Sequence, residues 1–143
     1  FELDAEQRIA ADWSVSAHYQ YVDAKFRAGA NHGKQIALVP ENTVTARLSW
    51  MPTNGQSADI GVQWVDDQRY GDDYANSCSS KIPSYTTLDA RYARKFGQWE
   101  LALSGQNLTD KRYYSQAFNC VFGNGGIYTA DGRQLKLSAR YDF

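Results

Sequence analysis

The sequence predicts an all-β chain, about seven strands of an antiparallel transmembrane β-barrel, and three observations carry that prediction. Side chains alternate apolar and polar with period two through seven segments, the pattern of a strand with two unlike faces. The connections between segments alternate short and long, as in outer-membrane barrels with tight periplasmic turns and longer extracellular loops. Aromatic residues make up 14% of the 143 residues, including ten Tyr and four Trp, and several stand where belts at a membrane surface would put them.

The first segment places Phe1, Leu3, Ala5 and Ile9 on one face against Glu2, Asp4, Glu6 and Arg8. After a turn at Ala11-Asp12, the second sets Trp13, Val15, Ala17, Tyr19 and Tyr21 against Ser14, Ser16, His18 and Gln20. The third follows Pro40, with Val44, Ala46, Leu48 and Trp50 opposite Thr43, Thr45, Arg47 and Ser49. Pro52-Thr53-Asn54-Gly55 has the residues of a tight reversal. It leads to a fourth strand in which Ala58, Ile60, Val62 and Trp64 oppose Asp59, Gly61 and Gln63.

The fifth strand carries Thr86, Leu88, Ala90 and Tyr92 against Thr87, Asp89 and Arg91, and a turn near Gly97 joins it to the sixth. There Trp99, Leu101 and Leu103 oppose Glu100, Ala102 and Ser104. The last strand alternates most cleanly, with Leu135, Leu137, Ala139, Tyr141 and Phe143 against Gln134, Lys136, Ser138, Arg140 and Asp142.

Long connections run roughly from Phe26 to Glu41, Tyr70 to Ser84 and Ala117 to Gly132. Trp13, Trp50 and Trp99 stand beside the short turns, whereas Tyr19, Tyr21, Phe26, Tyr70 and Tyr85 gather towards the long loops. Two aromatic belts at opposite strand ends are expected of a membrane barrel. A soluble sandwich or lipocalin-like barrel also alternates, but has no need of that distribution.

Other function classes find little support. No apolar run approaches the ~18 residues of a membrane-spanning helix. With a formal net charge of -1 and scattered charges, the chain has no basic footprint for nucleic acid. No Ser/His/Asp or Cys/His grouping suggests an enzyme. Cys78 and Cys120 fit no metal-ligand spacing and His18 and His32 are isolated, so no metal site or cofactor is expected.

Gly123-Asn124-Gly125-Gly126 lacks the strand and helix that flank a phosphate loop and reads as a loop tip. Asp66-Asp67 and Asp72-Asp73 offer oxygen ligands without the spacing of a cation loop, and are expected to be a solvated loop. The chain opens on Phe1 with neither initiator Met nor signal-peptide pattern, and reads as an excerpt or processed product.

Three stretches resemble the C-terminal end of TonB-dependent receptors. Ile82-Pro83-Ser84-Tyr85 leading to Leu88-Asp89-Ala90 resembles the family's approach to a late strand. Asn107-Leu108-Thr109-Asp110-Lys111-Arg112-Tyr113-Tyr114 is similar to its Asn-Leu-Phe-Asp-Lys-x-Tyr signature, with Thr109 where Phe is usual. Gly132-Arg133 precedes an alternating strand that ends on an aromatic, Phe143. The resemblance extends more loosely over the whole chain, including Ala37-Leu38-Val39-Pro40-Glu41-Asn42-Thr43.

The resemblance implies residues 1–143 as the C-terminal part of a 22-stranded, plugged barrel in the bacterial outer membrane, with the plug and earlier strands outside this chain. It further implies active uptake of a scarce nutrient, a ferric siderophore by default, with TonB acting through the absent plug. A passive porin or structural barrel is the alternative, and a soluble β-sheet binding module a third. Seven strands fall short of the eight of the smallest closed barrels, so this piece alone should not form a pore. Asn107-Leu108-Thr109 formally matches a glycosylation acceptor, which a bacterial barrel does not use.

Ligand contacts are expected from the long loops, with Arg27, Lys34, Arg69, Tyr70, Tyr74, Tyr113, Tyr114 and Phe118 as candidates. An aromatic and cationic vestibule suits an anionic iron chelate, and equally suits lipopolysaccharide at the rim of a barrel bathed in outer-membrane lipid. Phe143 is implied as a signal read by the barrel insertion machinery. The inward charges Glu2, Asp4, Glu6, Arg8, Arg47, Asp59, Asp89, Arg91, Glu100, Lys136 and Arg140 are expected mostly to pair with one another, a few touching a plug.

If the C-terminus is periplasmic, strand counting puts Cys78 in the loop between strands four and five and Cys120 in the loop between six and seven. Both emerge on the outer side, where an oxidising compartment permits a disulfide. Two unpaired thiols are the alternative.

Overall fold

A computed structural model describes residues 1–118, 120–121 and 125–143. Among them lie nine strands: β1 (Glu2–Ala10), β2 (Trp13–Tyr21), β3 (Asn42–Trp50), β4 (Gln56–Val65), β5 (Tyr85–Phe96), β6 (Trp99–Gln106), β7 (Tyr114–Ala117), β8 (Ile127–Thr129) and β9 (Gln134–Tyr141). Seven form one sheet in the order β1-β2-β3-β4-β5-β6-β9, and β7 and β8 form a separate two-stranded hairpin. Every pairing is antiparallel. No helix among the described residues is long and apolar enough to cross a membrane, which leaves open a crossing by strands.

Register keeps the two faces separate across all seven strands. Val15 pairs with Leu48, Leu48 with Ile60, Ile60 with Ala90, and further along Tyr92 pairs with Leu103 and Leu103 with Leu137. A slip of one residue anywhere would carry a polar set onto this face. The short turns fix the register: Gly55 and Gly97 hold φ of 76° and 58°, a region that costs a glycine little.

Among the described residues nothing covers the apolar face. Leu3 is 55% exposed, Ile60 44%, Leu103 53% and Leu137 77%, whereas the buried apolar residues reduce to Val65, Ile82, Ala93, Ala102 and Ala117. A soluble sandwich would place a second sheet over that face. A contiguous exposed surface of this kind belongs to an interface or to lipid. At its turn-side end Trp13 lies 6.2 Å from Trp50 and Trp99 5.0 Å from Tyr141, measured between ring centres. This is the belt expected from the indole positions.

Three expectations need correction. Tyr85 does not join the outer aromatic belt, because it pairs with Val65 on the polar-face parity of β4 and β5 and stacks on Tyr113, with ring centres 3.9 Å apart. The connection from Ala117 to Gly132 is not simply a loop, since β7 ends at its start and β8 lies within it; strands of four and three residues are too short to show a period. Asp72 and Asp73 are not solvated, being only 6% and 0% exposed. Of the glycine-rich stretch, Gly123 and Asn124 lie outside the described residues.

Candidate functional site

The three long connections, all at the strand ends opposite the tryptophan belt, are tied into one cap. Asp73 accepts hydrogen bonds from Arg69 Nη1 at 2.9 Å and from the amides of Ser77 and Cys78 at 2.8 and 3.3 Å. Its neighbour Asp72 receives the amides of Cys120 and Val121 at 3.1 and 2.8 Å. Two adjacent carboxylates thus hold two different loops, which accounts for their burial: each charge is met by donors.

Beside them Cys78 and Cys120 are disulfide-bonded, with Cα atoms 6.1 Å apart, as strand counting expects. Phe118 lies over Gly71, where any Cβ would collide with its ring. The first long loop joins the same body. Arg69 Nε donates to Gln35 Oε1 at 2.9 Å, the Gln35 amide donates to Asn76 Oδ1 at 2.7 Å, and the Leu38 amide to the Arg69 carbonyl at 3.1 Å.

The stretch after β6 works as a clamp. Asn107, 7% exposed and with φ of 48°, turns its side chain inward. Its Nδ2 donates to the carbonyls of Lys111 and Asp131 at 2.9 and 3.2 Å, and its Oδ1 accepts the Lys111 amide at 2.8 Å. Asp110 Oδ1 receives the Arg133 amide at 2.9 Å. Leu108 donates its amide to the Leu88 carbonyl at 2.7 Å and lays its side chain over Gly105. The residues that carry the family resemblance therefore lock the end of β6 to the start of β9.

On the polar face charges pair across strands. Arg47 on β3 bridges Asp59 on β4 and Asp89 on β5, the latter at 2.7 Å. The guanidinium passes over Gly61, where a Cβ would meet it. Arg91 pairs with Glu100 at 3.0 Å and His18 with Asp4 at 2.7 Å. Above this network a cavity of about 530 Å³ opens between Gln63, Thr87, Asp89, Gln106, Tyr113, Asp131 and Gln134. Its neutral amides and hydroxyls offer hydrogen bonds of both senses.

The eight expected ligand contacts divide. Arg69 and Phe118 hold the cap together, and the carbonyl of half-buried Tyr70 accepts the Asp73 amide at 3.0 Å. Arg27 and Lys34 are exposed on the first loop, near which Tyr74 meets Phe26 edge-on at 6.4 Å. Next to them Lys25 holds its proton more firmly than an ordinary lysine, because its ammonium donates to Asp23. Tyr113 and Tyr114 line a second cavity with Lys111 and Arg112, two cations the sequence reading passed over although they stand inside the quoted signature. Among the described residues no cluster of His, Cys, Asp or Glu is arranged to hold a metal.

A family model described as "TonB dependent receptor-like, beta-barrel" matches residues 1–108. The ferrioxamine receptor of Yersinia enterocolitica is 28% identical over 151 residues, covering 99% of this chain and 20% of that receptor. Among solved structures, the ferric yersiniabactin uptake receptor FyuA of Yersinia pestis superposes with a TM-score of 0.82 at 21% identity, over 99% of this chain and 23% of that one. The siderophore receptor PiuA of Acinetobacter baumannii does so with a TM-score of 0.73 at 26% identity, over 96% and 20%. The chain thus spans about a fifth of the length of the curated relatives it matches.

Proposed function

Because this chain belongs to the TonB-dependent receptor family, a family of outer-membrane barrels, we propose that it forms the C-terminal wall and outer cap of a receptor importing a ferric siderophore. In this reading the apolar face meets outer-membrane lipid and the polar face meets a plug domain. TonB acts on that plug to release the cargo inward. The observation that supports it is the likeness to a ferrioxamine receptor over 99% of the chain, joined to a sheet whose two faces suit lipid and an aqueous lumen.

The cap supplies the ligand contacts in this reading. Arg27, Lys34 and Tyr74 present charge and rings from the first two loops, and Tyr113 and Tyr114 do so from the third. Arg69, Tyr70 and Phe118 keep the loops in place behind them. Phe143, fully exposed at the end of the chain and edge-on to Tyr141 at 5.2 Å, serves as the signal for the insertion machinery.

The test is uptake of radiolabelled iron as ferrioxamine by cells whose sole receptor is the full-length protein, with and without TonB. The expected result is accumulation that disappears when TonB is removed. TonB-independent entry of small solutes, with no saturable iron uptake, would instead establish a passive barrel.

A further inference from the structure

Apart from the lumen-side cavity, the cap contains a pocket of about 430 Å³ lined by Pro83, Ser84, Lys111, Arg112, Tyr113, Tyr114 and Thr129. It shares only Tyr113 with the cavity over the polar face. Two cations line it and no carboxylate does. Lys25, Arg69 and Lys81 of the cap are each matched by a carboxylate, of Asp23, Asp73 and Asp67, and the cations Arg27 and Lys34, which like Lys111 and Arg112 have no ion pair among the described residues, line no cavity with a second cation. Lys111 and Arg112 are exposed, and their side chains have no ion-pair partner among the described residues.

Two adjacent like charges repel, and a chain free to choose would separate them. Here the backbone is fixed instead. Asn107 holds both the amide and the carbonyl of Lys111, at 2.8 and 2.9 Å. Tyr113 is immobilised by its stack on Tyr85. The backbone that carries Lys111 and the ring of Tyr113 are therefore set before any ligand arrives, which lowers part of the ordering cost of binding. Tyr85 begins β5, so the pocket stands at the loop end of the sheet, which in the barrel reading is the level of the outer membrane surface.

We infer that this pocket binds a phosphate monoester. The planar Arg112 guanidinium can donate two parallel hydrogen bonds to a phosphate, and the Lys111 ammonium adds a compact charge. The hydroxyls of Ser84, Tyr113 and Tyr114 are donors for the remaining oxygens and for a sugar that carries the phosphate. The volume lies within the range of small-ligand sites and leaves room for such a sugar. A phosphorylated lipid headgroup and a soluble sugar phosphate share this chemistry. The lipid source rests on the barrel reading; the phosphate chemistry does not.

The test uses the full-length receptor in a neutral detergent, titrated with diphosphorylated lipid A in the same micelles, with its dephosphorylated counterpart, and with glucose 1-phosphate in buffer. At least one phosphorylated probe is expected to bind about tenfold or more tightly than the dephosphorylated lipid, with affinity falling as salt rises. Preference for the lipid over the sugar identifies a membrane headgroup, and the reverse a soluble ligand. The double variant Lys111→Gln, Arg112→Gln should lose the preference. Its fold is checked by retention of heat-resistant migration, and its TonB-dependent iron uptake reads the transport proposal separately. Equal binding of phosphorylated and dephosphorylated probes, or a double variant that binds as tightly as the native receptor, would overturn the inference.

Discussion

Replacing Asn107 with Ala removes three hydrogen bonds of 2.8 to 3.2 Å that join the end of β6 to Lys111 and to Asp131. The site is 7% exposed, so water replaces these bonds poorly. Each contributes about 1 kcal/mol net, and an unmatched buried group costs about 1 to 3 kcal/mol. Alanine also sits badly at φ of 48°, by a further ~1 kcal/mol. Local opening of the clamp should become easier by about 3 to 5 kcal/mol. Because a barrel this large unfolds neither reversibly nor in two states, the assay is hydrogen exchange in the full-length receptor. Exchange of the Lys111 and Arg133 amides should speed up by at least about a hundredfold, with the strand amides of β3 unchanged. Asn107→Asp is the control: it keeps the acceptor for the Lys111 amide but turns a carboxylate on two carbonyls, and should fare no better at the Asp131 end. Unaltered exchange at both amides in the alanine variant would refute the clamp.

Further consequences follow from the two faces, the cap and the terminus. Leu103→Arg and Leu137→Arg should cost ~2 to 4 kcal/mol each at mid-membrane and lower the yield of assembled receptor, whereas Ser104→Arg and Lys136→Ala on the polar face should be tolerated; equal tolerance in outer-membrane fractions would contradict the lipid assignment. Gly61→Val should displace the Arg47 guanidinium and break its bridge to Asp89, shortening the half-life of the folded receptor at a fixed high temperature, while Arg47→Met in the same background should add little further loss. Titration of the native receptor should find no free thiol from Cys78 or Cys120, and Cys78→Ser with Cys120→Ser should increase protease cutting in residues 107–133. Deleting Phe143 should reduce the amount of receptor recovered in the outer membrane, and unchanged recovery would remove it from the insertion signal.

The sheet was legible in the sequence because the physics that builds it is local. A strand with lipid on one side and water on the other must alternate, and each of the seven long segments does. Short turns force antiparallel neighbours for β1-β2, β3-β4 and β5-β6, and the long connections join strands that are again neighbours, as in a barrel meander, so the order follows chain order until the last strand, where β7 and β8 are set aside and β9 pairs with β6. The disulfide was legible for the same reason, since it needs only the side of the membrane on which each loop emerges. What alternation leaves open is the far end of a strand: β5 continues to Phe96, carrying Arg94 onto the apolar parity, where its guanidinium lies 4.9 Å from the centre of the Phe96 ring. Close to the turn such a cation can reach the interface.

The cap was less legible, and Arg69 shows why. An arginine in a long loop between aromatic residues has the composition of a ligand contact, but its function depends on Asp73 four residues on and Gln35 thirty-four residues back. The first of these partners is close in sequence, yet outside a helix that spacing carries no directional meaning. The second can be known only from the fold. Asn107 reverses the case. Its sequence context is distinctive, and Asn is a residue that tolerates positive φ, but the carbonyl of Asp131 it holds is twenty-four residues away. Once these two side chains are spent on architecture, the cations of the third loop with no ion pair among the described residues are Lys111, Arg112 and Arg133, and the first two line one pocket. Ligand recognition in a loop cap is thus found by elimination: contacts that the fold needs are subtracted, and the charges that remain without partners are those available to something else.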